Sequence, residues 1–245
     1  MVMARFFVPV SHWGLAHLPE SEARHASQVL RLNSGERAVV FDGTGRAAEV
    51  ELTEVAKKRV SFRVLREWNE GRVQPGIHLI VALIKNERFD WLVQKATELG
   101  AASIRPVAAE RSVVKLAGKD AEKRRAKWEQ IAIEAAKQCG HLVLPEIFPV
   151  ALPREAFGSA PDGLKGIPAL HSDGVTLGQF FGTEANSVTF AIGPEGDWTD
   201  EEMASATDCG FVPLHLGKHV LRSETAALHV LSAAAHHYHG GAGGV

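Results

Sequence analysis

From Ile77 onward the chain keeps to one pattern: a short, unbroken apolar run, a turn, then a stretch whose apolar residues recur three and four apart. Strands alternating with helices satisfy it. A strand apolar on both sides must be shielded on both sides, so the expected fold class is α/β, a mainly parallel sheet with helices on each face. Ile77 to Ile84 reads as the first such strand. Arg88 to Leu99 is the first helix, with Phe89, Leu92, Val93, Ala96 and Leu99 on one stripe and Gly100 as its stop. Further strands are expected at Ile104 to Val107, Val188 to Ile192 and Val212 to Leu216, and helices at Lys119 to Gln138, Asp200 to Ala206 and Glu224 to His237.

The first 72 residues have another style. Ala38 to Phe41, Arg46 to Leu52 and Arg59 to Leu65 alternate apolar with polar side chains, and Asp42-Gly43 suggests a hairpin between the first two. One helix is expected from Glu20 to Leu30, with Ala26, Val29 and Leu30 on its apolar face. The polar stretch Trp68 to Gly76 ends in Pro-Gly and reads as a linker. The expected domains are therefore residues 1–72, small and β-rich, and residues 73–245, α/β. The glycine-rich tail from Gly240 to Gly244 is expected to be disordered.

Composition removes several classes. With 45% hydrophobic and 23% charged residues, the chain is neither disordered nor fibrous. No apolar run is long enough to span a bilayer and the N-terminus lacks a signal peptide's core, so a cytosolic protein without membrane contact is expected. Cys139 and Cys209 are the only cysteines, which excludes a disulfide framework and suggests two small buried hydrophobes. The net charge of -2 opposes a general nucleic-acid coat. Residues 1–72 carry 11 Lys/Arg against 9 Asp/Glu and the remainder 16 against 20, so a polyanion would be met by local patches.

Ligands of open α/β sheets bind beyond the carboxyl ends of the strands, which directs the search to two glycine turns. Ile192-Gly-Pro-Glu-Gly-Asp-Trp-Thr-Asp-Glu-Glu202 leaves a strand and enters a helix through a capping box, Thr199 with Glu202. Leu214-His-Leu-Gly-Lys-His-Val-Leu-Arg-Ser-Glu-Thr225 does the same, with Ser223 as the expected cap. Neither is a phosphate cradle of the Gly-x-x-x-x-Gly-Lys type, and Gly43-Thr-Gly45 sits in a hairpin, so a triphosphatase and a dinucleotide site are disfavoured.

Gly193-Pro-Glu-Gly196 followed by Leu216-Gly-Lys-His-Val-Leu-Arg-Ser-Glu-Thr-Ala226 resembles the C-terminal signature of SPOUT-class ribosomal RNA methyltransferases, most closely the RsmE family. Phe89-Asp-Trp-Leu-Val-Gln-Lys-Ala-Thr-Glu-Leu-Gly100, Glu110-Arg-Ser-Val113, Ala136-Lys-Gln-Cys-Gly140 and Pro145 extend the match, and His25-Ala-Ser-Gln-Val-Leu-Arg31 with Gly35 resembles that family's PUA-like RNA-binding domain. Three places depart from the family's usual pattern: Asp197 for a commoner glycine, Lys218-His219 for Pro-Arg, and His141 for arginine. The resemblance implies a small PUA-like β-barrel before a SPOUT domain with a C-terminal trefoil knot, a homodimer, and methylation of N3 of a uridine in 16S rRNA of the small ribosomal subunit. It implies S-adenosylmethionine as cofactor, no metal, and cofactor contacts from Leu170, His171, Gly193, Pro194, Glu195 and Gly196. The second loop would add Leu216, Gly217, Val220, Leu221, Arg222, Ser223 and Thr225.

The chemistry narrows the roles. Uracil N3 is a weakly acidic imide, so its methylation needs the proton removed or the negative charge on O2 and O4 stabilised. Arg222 is the candidate for that charge, with a salt bridge to Glu195 or Glu224 as its structural alternative. Glu224 and Glu195 read as base or as loop anchor. Phosphate contacts are expected from Lys119, Lys123 and Lys127, one face of a helix with Arg124 and Arg125 beside it, and from Arg5, His25, Arg31, Arg46, Arg111 and His141; a plain solvated surface is the alternative. The five tryptophans read as core, with Trp198 as a potential pocket wall. His229, His236, His237 and His239 have no carboxylate or cysteine at ligand spacing, and no metal site is expected. A noncatalytic RNA-binding protein, a methyltransferase with another RNA target and a small-substrate hydrolase are the competing readings; no Gly-x-Ser-x-Gly sequence supports the last.

Overall fold

The computed structural model describes residues 3–169, 174–182 and 184–240. Its contacts divide the chain into two compact units, Met1–Arg72 with Ile133–Leu144 and Val73–Ala132 with Pro145–Val245. The expected split at residue 72 therefore gains an addition. Ala136 and Leu142 are buried in one apolar cluster with Val39, Phe41 and Ala47, which draws residues 133–144 to the first unit.

In the first unit β1 (Ala4–Phe7) runs parallel to β2 (Arg37–Phe41), and β2, β3 (Arg46–Val55) and β4 (Val60–Asn69) are successively antiparallel. The turn between β2 and β3 is held by Asp42, whose Oδ1 accepts from the Thr44 amide at 2.8 Å and the Thr44 hydroxyl at 2.7 Å. Residues 16–18 extend the sheet along β4, with Leu18 N–H on the Val60 carbonyl and Phe62 N–H on the Ala16 carbonyl.

The helix expected over residues 20–30 is α1 (Glu20–Arg24) followed by a π-helical turn, His25–Val29, in which Leu30 N–H reaches the His25 carbonyl at 3.0 Å. The wider turn rotates later side chains off the helical face. Ala26 is buried as expected, whereas Val29 and Leu30 are 66% and 42% exposed, correcting their place on the apolar face. Cys139 is exposed and Cys209 half-buried, so neither is the core residue expected.

The second unit holds seven described strands, all parallel: β5 (Gly76–Ala82), β6 (Ser103–Val107), β7 (Glu146–Ile147), β8 (Leu164–Pro168), β9 (Val175–Thr176), β10 (Ser187–Ile192) and β11 (Val212–His215). Their order across the sheet is β7-β6-β5-β10-β8-β11-β9. Helices α2 (Asn86–Glu98), α3 (Gly118–Cys139), α4 (Pro153–Gly158), α5 (Leu177–Phe180), α6 (Asp200–Asp208) and α7 (Ser223–His239) connect or follow them. Gly100 ends α2 in the left-handed region, φ 79°, where glycine meets no Cβ penalty.

The unbroken apolar run of β5 follows from its position near the centre of this sheet. Leu79 and Val81 pack with Phe89, Leu92 and Val93 of α2 and with Val230 and Leu231 of α7. Their neighbours Ile80 and Ala82 point the other way, into a second cluster with Ala156 and Phe157 of α4, Ala206 of α6 and Phe211. The tail beyond residue 240 lies outside the described residues.

In the first unit Glu22 and Lys137 form a buried ion pair, with the exposed Glu134 beside it. Lys137 Nζ donates to Glu22 Oε1 and Glu134 Oε1, each at 3.0 Å, while Glu22 Oε2 has no partner among the described residues. Burial outweighs the ammonium beside it and holds the Glu22 carboxyl above its ordinary value of 4.5. A carboxyl that binds its proton more tightly when folded gives stability at low pH that is lost as pH rises through its folded value. Denaturant unfolding from pH 4.5 to neutrality should therefore show a decline that Glu22→Gln flattens. Equal slopes for the two proteins would show that Lys137 fully offsets the burial.

Candidate active site

Three neighbouring parallel strands, β10, β8 and β11, end at one edge of the sheet, and the segments leaving them enclose a cleft. Pro168 and Ala169 come from β8 and its exit, and Ile192, Gly193, Pro194, Glu195 and Asp197 from β10 and its exit. Leu214, His215, Leu216, Gly217, Lys218, His219, Val220 and Leu221 line it from β11 and the second loop, with Ser223 and Ala226 from the start of α7. The cavity volume is about 220 Å³, and one side of the cleft is open to solvent.

The first loop is held rigidly from outside. Asp197 N–H closes a turn on the Pro194 carbonyl at 3.0 Å, and Asp197 itself has φ 59°, a conformation that glycine adopts at no cost. An aspartate tolerates it because its short side chain bonds locally: Oδ1 accepts from the Trp198 amide at 2.9 Å. Arg111 Nη1 donates to the carbonyls of Gly196 at 3.0 Å and Trp198 at 3.2 Å. The expected capping box is present, with Glu202 Oε2 on the Thr199 amide and Thr199 Oγ1 accepting from the Glu202 amide. Trp198 lies beneath the loop against Phe157, 3% exposed, and does not line the cleft.

Ser223 does not cap α7. It occupies the first helical position, and its hydroxyl donates instead to the Gly193 carbonyl at 2.7 Å, binding the second loop's exit to the first loop's entry. Arg88, in the first turn of α2, makes the other link. Its Nη1 pairs with Glu195 Oε1, and its Nε lies 3.7 Å from Glu224 Oε1. Glu224 is buried at 8% exposure, and its Oε2 has no partner among the described residues.

Of the cofactor residues taken from the resemblance, Gly193, Pro194, Glu195, Leu216, Gly217, Val220, Leu221 and Ser223 line the cleft. Gly196, Arg222 and Thr225 do not, and Leu170 and His171 lie outside the described residues. A Cβ on Gly196 would meet the Arg111 side chain at 3.3 Å, so that glycine leaves room for the arginine. Arg222 is exposed between two lining residues; its carbonyl accepts from the Ala226 amide at 2.8 Å, while its side chain has no ion pair or hydrogen bond among the described residues, and the salt bridge weighed for it is made by Arg88.

The candidate phosphate contacts divide by their partners. In the second unit Lys127 is held by Asp90 at 2.6 Å and Arg124 lies 3.7 Å from the same carboxylate, while Lys119 and Lys123 are exposed without described partners. In the first unit Arg46 pairs with Glu67 at 2.9 Å and lies over the Trp13 ring at 4.3 Å. Arg5 and His25 line a groove with Arg37, Lys137, Glu36 and Glu134. Arg31 is exposed at φ 53° and His141 half-buried.

The sequence reading missed Arg88, although a signal was there: a cation in the first turn opposes the helix dipole and calls for nearby carboxylates. The Ser223 bond is testable on its own. Ser223→Ala should lower unfolding stability by about 1 kcal/mol, the net worth of a hydrogen bond, read from the denaturation midpoint. An unchanged midpoint would show that the loops are joined without it.

Comparison with known proteins places this architecture. The family model for the RNA methyltransferase domain matches residues 72–235, and that for the RNA methyltransferase PUA domain residues 18–65. The ribosomal RNA small subunit methyltransferase E of Bacillus subtilis is 32% identical, covering 94% of this chain and 95% of its own, and that of Mycobacterium bovis 31% identical over 86% and 82%. The crystal structure of the same enzyme from Neisseria gonorrhoeae, bound to S-adenosylmethionine, superposes with a TM-score of 0.86 at 34% identity, covering 96% of this chain and 98% of that one. A methyltransferase from Legionella pneumophila with bound cofactor gives 0.85 at 32% identity over the same shares. With its α/β sheet, its PUA-type N-terminal unit and the signature turns at the strand ends, this chain belongs to the RsmE family of RNA methyltransferases.

Proposed function

We propose that the chain methylates N3 of a uridine in 16S rRNA of the small ribosomal subunit with S-adenosylmethionine, which binds in the cleft between the two glycine loops. The observation that carries this reading is the cleft itself, at the carboxyl ends of β10, β8 and β11 and joined across by Ser223 and Gly193. The residues present fit the cofactor. Ile192, Leu214, Leu216 and Leu221 supply apolar walls for a flat base. Gly217, at φ 117°, has open space where a Cβ would stand, so a ligand can approach its backbone closely. A homodimer acting in the cytosol and the trefoil knot implied by the resemblance belong to the same proposal. No helix among the described residues is long and apolar enough to cross a membrane, and no described group of His, Cys, Asp and Glu could hold a metal.

When bound, the cofactor supplies an electrophilic methyl group on a sulfonium centre. The chain's part is to position the uracil and to favour its N3 anion. Arg222 suits the second task because no carboxylate among the described residues neutralises it. A guanidinium offers hydrogen-bond donors and no acceptor, which makes it an electrostatic partner for O2 or O4 rather than a base. Lys119 and Lys123, free of the Asp90 carboxylate that holds Lys127, are the phosphate contacts this reading favours in the second unit.

Incubating small-subunit RNA with the protein and labelled cofactor, then digesting it for mass spectrometry, should yield N3-methyluridine. Label on another atom or base would redirect the specificity, and cofactor binding without transfer would favour the noncatalytic reading. Arg222→Ala should lower single-turnover rate by about 10² to 10³, the scale of one preorganised donor, with cofactor affinity kept. The deficit should shrink from pH 7 to 9.5 as solvent ionises more of the imide. A defect confined to cofactor affinity would make Arg222 a loop anchor.

A further inference from the structure

Arg88 stands outside the cleft lining, yet it touches the carboxylate of a residue that lines it. Glu195 belongs to the cleft wall and is paired with Arg88 Nη1, while Glu224, behind it, is buried and 3.7 Å from Arg88 Nε. Arg111 binds the same loop through backbone carbonyls and leaves its charge unspent on any carboxylate of the cleft. Arg88 differs in kind: it offsets negative charge at the wall. We infer that Arg88 is a positioning residue that sets the electrostatic potential of the cofactor cleft by neutralising Glu195, in addition to tying the start of α2 to both loops.

The consequence is chemical. S-adenosylmethionine carries a sulfonium and S-adenosylhomocysteine a neutral sulfide, so the two ligands differ by one positive charge. An unpaired Glu195 would favour the cation before transfer, which stabilises the ground state at the expense of the transition state, where that charge is dispersing. It would also oppose an anionic uracil nearby. A paired Glu195 does neither. The two side chains are 30% and 41% exposed, so solvent screens the pair in part and the electrostatic effect on the cleft is correspondingly moderate.

This inference rests on the reading of the cleft as the cofactor site, and its test separates the two. Calorimetry on the full chain would measure affinity for both ligands in the parent, Arg88→Gln, Glu195→Gln and the double variant. Arg88→Gln should shift the preference toward S-adenosylmethionine by about fivefold, the scale of one partly screened charge. Glu195→Gln, at an exposed side chain, should shift it about as far in the opposite direction, and the double variant should return it to the parent value. Arg88→Lys should restore most of the preference with less affinity, since a point charge lacks the fork that reaches two carboxylates. A purely structural Arg88 would weaken both ligands alike and leave their ratio unchanged in every variant, which overturns the inference while the cofactor reading stands. A parent that binds neither ligand would overturn that reading and the inference with it.

Discussion

The parallel arrangement of β5, β6, β8, β10 and β11 is the constraint on which the rest depends. Parallel strands all deliver their carboxyl ends to one edge, so any loop that follows such a strand opens on the same side. The two glycine loops are separated in sequence by all of α6 and β11, yet they meet because β10 and β11 flank β8. Burial of both faces holds that register. β5 feeds Leu79 and Val81 into one apolar cluster and Ile80 and Ala82 into the other, and a one-residue slip would exchange them.

Energies decide which contacts shape the cleft. Exposed ion pairs such as Arg37 with Glu49 and Arg63 with Glu51 are worth roughly 0–1 kcal/mol and do little for the fold. The bonds around the loops are fewer and more constrained. Ser223 to the Gly193 carbonyl, Arg111 to two carbonyls and Arg88 to two carboxylates each fix one backbone segment against another. Preorganised donors cost no rearrangement at the moment of reaction, which is why a cofactor and a reacting base benefit from loops held in this way. Arg222, by contrast, remains unspent among the described residues.

Much of this was legible in the residues. The apolar run from Ile77, the periodic stripe from Phe89 and the capping box at Thr199 each report a local preference that packing reinforces, and all three elements form where expected. β8 left no such trace. Leu164-Lys-Gly-Ile-Pro168 is short and contains glycine and proline, yet it sits between β10 and β11, where pairing on both sides replaces local propensity. β7 and β9, two residues each, are shorter than any periodic signal. The π-turn at His25 shows the converse, since a 3.6-residue period puts Val29 and Leu30 inward and the wider turn puts them out. At the cleft, the strand-to-helix turns marked Gly193 and Gly217 and the resemblance supplied several further lining residues, whereas the pairing of Arg88 with Glu195 joins positions far apart in the chain and needs coordinates to be seen.

If the segments 193–198 and 216–221 together form one cofactor site, a bound cofactor protects both. Hydrogen exchange followed by mass spectrometry, with and without saturating S-adenosylmethionine, tests it most directly because it reports each loop separately. Slowed exchange is expected in both loops together, with residues 37–69 of the first unit unchanged. Protection of one loop alone, or protection confined to the first unit, would contradict it.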